Sequence, residues 1–412
     1  MRSVLTLLTV LGMSVSATAA DWAQFRGPTG QGIAQAKNVP VRWSGTENVV
    51  WKAELPGVAW SSPAVAGDRI YLTNAVQEGD DEFSLRAVCV EAGDGSVVWD
   101  REVFRQQGDV QIHRKNSHAS PTPVVADGFV YVHFGPHGTA CLNLAGELQW
   151  KNDELSYSPV HGNGGSPALF EDLLVICCDG GDQQYVVGIE RETGRIRWKT
   201  PRDTDPKKGF SFSTPLIITV DGQAQAICPG SDAVFAYEPR TGKEIWRVRY
   251  PDGYSVVPRP VFSQGLVFVC TGYNRPSLLA IDPNGEGDIT ETNVKWEVDR
   301  GVPHNPSILA VGGEVYFVSD GGVASCVDAA TGEVHWTERL GGKFSASPVY
   351  AEGKVFFQDE AGTCTVVKAG TEFEVLAENQ WADEGARTFA SFAVLDGTLF
   401  LRSETHLYRI GN

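Results

Sequence analysis

One short pattern recurs eight times along this chain, and only a fold with eightfold internal repetition accommodates it. Each unit opens with a strand-like run carrying Ser or Pro, turns on Gly or Asp, runs through a second apolar strand, and later meets a turn followed by Trp. The first complete unit reads SSPAVAGDRIYL and then LRAVCVEAGDGSVVW. Its hairpin turn recurs at Gly67-Asp68, Asp127-Gly128, Glu171-Asp172, Asp221-Gly222, Gln264-Gly265, Gly312-Gly313, Glu352-Gly353 and Asp396-Gly397. The second turn keeps a fixed distance from its tryptophan. Thr193 to Trp198, Thr241 to Trp246, Thr331 to Trp336, Asp94 to Trp99 and Ala145 to Trp150 are each five residues apart. Trp51, Trp99, Trp150, Trp198, Trp246, Trp296 and Trp336 then follow one another at intervals of 48, 51, 48, 48, 50 and 40. Such a period, filled with four strand-length runs, predicts a propeller blade of four strands. Unit five stretches its second turn between Asn284 and Lys295, and unit seven has Leu376 near the place where Trp is expected.

The eighth unit, TFASFAVLDGTLFLRSETHLYRIGN, has material for three strands only. Its missing strand is at the other end of the chain, where SGTENVVWKAEL carries Thr46 five residues before Trp51. A strand over Val49 to Leu55 is therefore expected to complete the blade begun by Phe389 to Ile410. That closes the ring and leaves no open sheet edge between first and last blade. The expectation is an all-β, eight-bladed β-propeller, one domain over residues 21–412. The composition suits it, with 45 Gly, 22 Pro and 11 Trp against 2 Met. The repeated tryptophans are expected to pack between blades with each indole N–H bonded to backbone.

Residues 1–20 place Arg2 ahead of an apolar run and end in small residues, the pattern of a cleavable secretory signal. The run is too short to span a bilayer of about 30 Å as a helix. No Cys stands between Ser14 and Asp21, so a lipid anchor is not expected. The reading is a periplasmic or secreted monomer. With 34 Lys plus Arg against 51 Asp plus Glu, the formal charge is −17, and no basic block interrupts it. Nucleic acid is not an expected partner, because neutralising phosphates needs a basic face.

The repeat core, seen in LLAIDPNG, SCVDAATGEVHW, VGIERETGRIRW and VFAYEPRTGKEIW, resembles that of the pyrroloquinoline-quinone (PQQ) type repeat propellers. The opening DWAQFRGPTGQG is similar to the start of many exported members. The resemblance covers essentially the whole chain after residue 20. It implies the fold and leaves activity open, because the family holds both PQQ-dependent dehydrogenases and non-enzymatic scaffolds such as BamB of outer-membrane β-barrel assembly. A dehydrogenase of this kind needs PQQ with a calcium ion held by carboxylate and amide oxygens. In several of them adjacent cysteines form a disulfide over the cofactor, and Cys177-Cys178 is the matching pair here. The competing reading packs both as small apolar side chains in the strand VICC. Cys89, Cys141 and Cys326 recur at one small-residue position, where other units have Gly188, Ala236 and Ala280. Equivalent slots in separate blades do not meet the Cα separation of roughly 4.4 to 6.8 Å that a disulfide needs. His133 and His137 do not share a face on a strand-to-loop segment, and no metal site is expected.

The functional signal lies in the loops before each first strand, which should all open onto one end of the central channel. They carry Trp60, then His113, Lys115, Asn116 and His118, then His161 and Asn163, then Lys208 and Phe210, followed by Arg259, His304, Asn305 and Arg387. Convergent polar groups around a concavity make a default binding site. The leading expectation is a non-catalytic scaffold or binding propeller that recognises a protein partner of the cell envelope and needs no cofactor, with BamB-like assistance in β-barrel assembly as its concrete form. The alternative is a PQQ- or other cofactor-dependent oxidoreductase using His118, His161, His304 and Arg259. A third reading is a carbohydrate- or polymer-binding propeller with Trp60 and Phe210 as stacking platforms.

Overall fold

The computed structural model describes residues 21–108 and 110–411, so the signal reading of residues 1–20 lies outside the described residues. Period-two patterns and tight turns give strands almost throughout. The helical exceptions among the described residues are a 3-10 turn at Gly135–His137 and a four-residue turn at Thr290–Asn293. Eight antiparallel four-stranded blades form a ring. Blade 1 runs outward from Ala64–Ala66 through Arg69–Gly79 and Glu82–Glu91 to Val97–Gln107. Blades 2 to 7 span 124–152, 168–201, 216–249, 261–298, 309–339 and 349–380. At five of the eight inner hairpins both central residues take positive φ, as in Asp127 (49°) with Gly128 (84°) and Asp221 (47°) with Gly222 (82°). That handedness matches the twist of the strands it joins.

Ring closure follows the sequence reading. Val49–Glu54 pairs antiparallel with His406–Ile410 and becomes the fourth strand of blade 8, outside Ala393–Leu395 and Thr398–Arg402. The inner strands of neighbouring blades touch, and those of blades 8 and 1 do so as well.

The tryptophans seal the blade seams. Indole N–H groups donate to backbone carbonyls of the next blade, from Trp51 to Ala92, Trp99 to Leu144, Trp150 to Arg191, Trp198 to Pro239, Trp296 to Ala329 and Trp336 to Gly370, at 2.9 to 3.1 Å. The following Thr-Gly turn lies flat on the ring, and at Gly242 a Cβ would come within 2.3 Å of Trp198. Glycine is required there by contact as well as by its φ of 70°.

Two seams differ, and both differences originate in the lapses of the repeat. Blade 4 gains a parallel partner, Gly287–Asp288, from the stretched turn of unit five. It covers Trp246, whose N–H reaches Gln225 Oε1 at 2.8 Å instead of backbone, while Gln225 Nε2 donates onward to Pro283 O. In unit seven the Trp register, opposite Val366, is held by Ala377 rather than by Leu376. Trp43 fills the space from the N-terminal segment, stacked on Phe356 with its backbone N–H on Asn379.

All eight cysteines are free and buried. Cys89, Cys141 and Cys326 each sit opposite a seam tryptophan, at a slot that in blade 3 is Gly188, where a Cβ would stand 2.3 Å from Trp198. The small-residue requirement is therefore steric.

The segment from Asp21 to Ala34 crosses the axis of the ring. Its backbone receives N–H bonds from Val65 (to Trp22 O), Val125 (to Ala23 O) and Tyr350 (to Gly32 O), joining blades 1, 2 and 7. Ile33–Ala34 then adds a parallel strand to Val349–Ala351. Arg26 is fully buried and donates to the carbonyls of Ile308 and Pro348 in blades 6 and 7. Arg259 donates to Pro215 O and to Phe25 O. The segment closes the channel at the end carrying the inner hairpin turns.

Candidate functional site

Above that closure lies a cavity of about 290 Å3 with side chains from all eight blades on its wall. Phe25 forms the floor, and a belt of buried hydroxyls surrounds it: Ser62, Thr122, Ser166, Thr214, Ser307, Ser347 and Ser391. Each is the residue at which the mouth loop enters its inner strand, and the eighth such position is Arg259. Higher up, Trp60, His113, Lys115, Asn116, His161, Phe212, Tyr254, Tyr273, Asn305 and Phe389 line the mouth.

The loop of blade 2 organises one side. Asn116 Nδ2 and the His113 backbone N–H both donate to His161 O, at 2.8 and 3.2 Å. The imidazoles of His113 and His161 stand 5.3 Å apart between ring centroids. Burial, then the neighbouring His161, Arg114 and Lys115, lowers the His113 imidazole below its ordinary range, so it is neutral at pH 7. Trp60 donates from its indole to Asn116 O and packs on Phe389 at 4.6 Å. Lys115 reaches across the opening to Glu360 of blade 7 at 2.8 Å, and Ser345 Oγ donates to the same carboxylate at 2.7 Å. On the far side Asn305 is held by Asp320, which accepts its Nδ2 at 2.9 Å. Burial alone would raise the Asp320 carboxyl, but hydrogen bonds from His304 and Asn305 and the charge of Lys115 bring it below the usual carboxylate range.

Six of the sequence candidates thus converge on the cavity: Trp60, His113, Lys115, Asn116, His161 and Asn305. The others stand elsewhere, for definite reasons. His118 is turned back onto Gln106 at 2.8 Å and stacks on Phe83, and burial pushes its imidazole down to about 4. Asn163 accepts from Tyr157 OH behind the wall. Lys208 lies outside, on Tyr254. Phe210 is buried and packs edge-on against His161, so it offers no stacking face to a polymer. Arg259 is not at the mouth but beneath the cavity, as described above. His304 sits behind Tyr273, stacked at 4.2 Å. Arg387 covers the outside of Trp60 and pairs with Glu404. The quartet of His118, His161, His304 and Arg259 is therefore not one site.

Sequence reasoning passed over the hydroxyl belt, although its signal, a Ser or Thr opening seven of the eight units, was visible. It also missed Phe212, Tyr254, Tyr273 and Phe389, whose convergence depends on ring geometry.

The donor set bears on the quinone reading. Among the described residues no carboxylate lines the cavity, and no group of three or more His, Cys, Asp or Glu is placed to hold a metal. Asn116 and Asn305 supply amide oxygens without the carboxylate a calcium ion requires. Cys177 and Cys178 stand on opposite faces of the strand Leu173–Asp179, the first in the cluster toward blade 4 and the second in that toward blade 2. Neither lines the cavity. The residues present do not fit PQQ with calcium in this cavity.

A family model described as outer membrane protein assembly factor BamB matches residues 41–200, 182–311 and 280–401. A curated polyvinylalcohol dehydrogenase from Pseudomonas sp is 21% identical over 310 residues, 58% of this chain. The match spans only 46% of that enzyme's length. Among solved structures, BamB from Moraxella catarrhalis superposes with a TM-score of 0.60 at 14% identity, covering 88% of this chain and 98% of that one. Quinohemoprotein alcohol dehydrogenase from Comamonas testosteroni gives 0.68 at 13%, covering 95% and 81%. At these identities the superpositions speak for the fold alone. Among the described residues no helix is long and apolar enough to cross a membrane.

Proposed function

The chain belongs to the family described as outer membrane protein assembly factor BamB, and from that premise we propose that it is a non-catalytic propeller of the cell envelope that docks a protein partner at its channel mouth. The observation that carries this reading is the asymmetry of the ring. One end is closed by the segment from Asp21 to Ala34, while the other gathers Trp60, His113, Lys115, Asn116, His161 and Asn305 around an opening. Aromatic anchors such as Trp60 are enriched at interface centres, and the Lys115 cation with its neighbouring amides suits the polar rim around them. Lys115 and Glu360, with side chains 18% and 17% exposed, form a bridge that a partner's carboxylate can displace. The partner class that suits the family is envelope assembly machinery, and the working unit is a monomer.

The test places a photo-crosslinking residue at position 60 of the full chain and exposes it to envelope extract. Crosslinks to a defined protein that are lost in Lys115→Glu support docking at the mouth. The same crosslinks with unchanged yield in Lys115→Glu and Asn305→Ala would refute it.

A second reading, an oxidoreductase, is favoured by the likeness to polyvinylalcohol dehydrogenase. It meets the donor-set mismatch described above. Stoichiometric uptake of PQQ with calcium and dye-linked turnover of an alcohol would restore it.

A further inference from the structure

The hydroxyl belt has a property that its neighbours do not explain. Its oxygens are hydrogen-bond acceptors for one another's backbone. Ser62 N–H donates to Thr122 Oγ1 at 3.0 Å, Thr122 N–H to Ser166 Oγ at 2.9 Å and Ser166 N–H to Thr214 Oγ1 at 2.9 Å. After the break at Arg259, whose N–H donates to Ser307 Oγ at 3.0 Å, the chain resumes. Ser307 N–H reaches Ser347 Oγ, Ser347 N–H reaches Ser391 Oγ, and Ser391 N–H returns to Ser62 Oγ, at 3.0, 2.9 and 3.1 Å. Each of the seven oxygens is thereby fixed on the wall of the cavity, and among the described residues none donates its proton to a protein acceptor. A hydroxyl has one donor and two acceptor sites. With an acceptor site on each taken from the wall side, the proton is left to point into the lumen.

The floor adds charge of the matching sign. Arg26 and Arg259 are both buried, and among the described residues each is bonded only to carbonyl oxygens and neither has a carboxylate partner. Among the described residues Arg26 Nε has no hydrogen-bond partner. Burial, and for Arg26 also the neighbouring Arg259, holds both guanidinium groups down to about 9, still protonated at neutral pH. Two uncompensated cations beneath a ring of O–H donors, in surroundings drier than bulk water, favour a negatively charged acceptor above them.

We propose that the channel is an oxyanion site: a carboxylate or phosphate sits on the ring axis above Phe25, receiving O–H bonds from the belt, with any organic remainder against the aromatic mouth. It lies below the docking face and stands independently of which partner binds there.

Calorimetric titration of the full chain with benzoate, inorganic phosphate and the neutral isostere benzamide tests it. Benzoate or phosphate is expected to bind one-to-one and at least about tenfold more tightly than benzamide. The tighter of the two assigns the head group to an organic acid or to free phosphate. Thr122→Val with Thr214→Val should weaken the oxyanion by about tenfold or more and leave benzamide unchanged, while Thr122→Ser with Thr214→Ser retains the selectivity. Equal affinity for benzoate and benzamide, or no binding of either anion, overturns the proposal even if the valine variant does not fold. Loss of anion binding in Lys115→Met with none in the valine variant overturns it too, since the anion then sits at the mouth.

Discussion

Replacing Trp198 by alanine removes the seal between blades 3 and 4. The side chain is only 8% exposed, its indole N–H donates to Pro239 O at 3.0 Å, and Gly242 lies against its face. An aromatic side chain of this kind buries about 150–250 Å2, which at about 25 cal/mol per Å2 corresponds to roughly 4–6 kcal/mol. Alanine keeps a small part of that contact, and the seam relaxes partly into the space, so the expected loss is about 3–5 kcal/mol. Trp198→Phe separates the two contributions. It keeps most of the area but leaves the Pro239 carbonyl without its donor, for a loss of about 1–3 kcal/mol. Urea unfolding of the full chain, followed by far-ultraviolet circular dichroism, reads both as shifts of midpoint at constant slope. A loss below about 1 kcal/mol in Trp198→Ala would refute the seam assignment, because only an exposed side chain is that dispensable.

Removal of residues 21–55 takes away both the channel closure and the outer strand of blade 8, and the cooperative thermal transition should disappear; a truncated chain melting as the intact one does would sink the closure argument. Arg402, fully buried, joins blade 8 to blade 1 through Ser61 O at 2.9 Å and Thr73 O at 3.2 Å, so Arg402→Met should cost about 2–4 kcal/mol, and a neutral result in denaturant would show that those carbonyls find other donors. The His133 imidazole is lowered by burial from 6.5 to about 3. The unfolded chain takes up that proton first, so the stability from the neutral imidazole is complete above pH 6.5 and is lost as the pH falls toward 3, at about 1.4 kcal/mol per pH unit. His133→Gln should flatten the stability curve between pH 6.5 and 4, and an unchanged slope would mean that the imidazole protonates freely in the fold.

The architecture was legible because its signal is redundant. Eight hairpin turns and seven tryptophans report the same period, so the lapses at Asn284–Lys295 and Leu376 did not obscure it. Closure by Val49–Glu54 was legible for the same reason, since Thr46 and Trp51 keep the common register. The site was legible only where a side chain leaves its loop toward the axis, as those of Trp60, Lys115 and Asn305 do. Arg259 looked like a mouth residue because its place in the repeat is a mouth-to-strand position, but its length carries the guanidinium down to Pro215 O and Phe25 O. The role of Asp21–Ala34 was hidden, because its partners at Ile308, Pro348 and Tyr350 are fixed by position in space and not by any local pattern. Trp43, taking the place of the absent seam tryptophan of blade 7, was hidden for the same reason.

The crossing of the axis also sets an order of events for folding. Arg26 waits for carbonyls at positions 308 and 348, and the strand at Val49–Glu54 waits for His406–Ile410. Contacts between residues more than 280 positions apart demand large loop closures before they repay them. Blades 1 to 7 can form from local hairpins as the polypeptide lengthens, but the earliest part of the chain is among the last to find its place. The slow phase of refolding should therefore be the locking of this segment, and a circular permutant that joins it directly after residue 411 should shorten that phase while leaving the blades as they are.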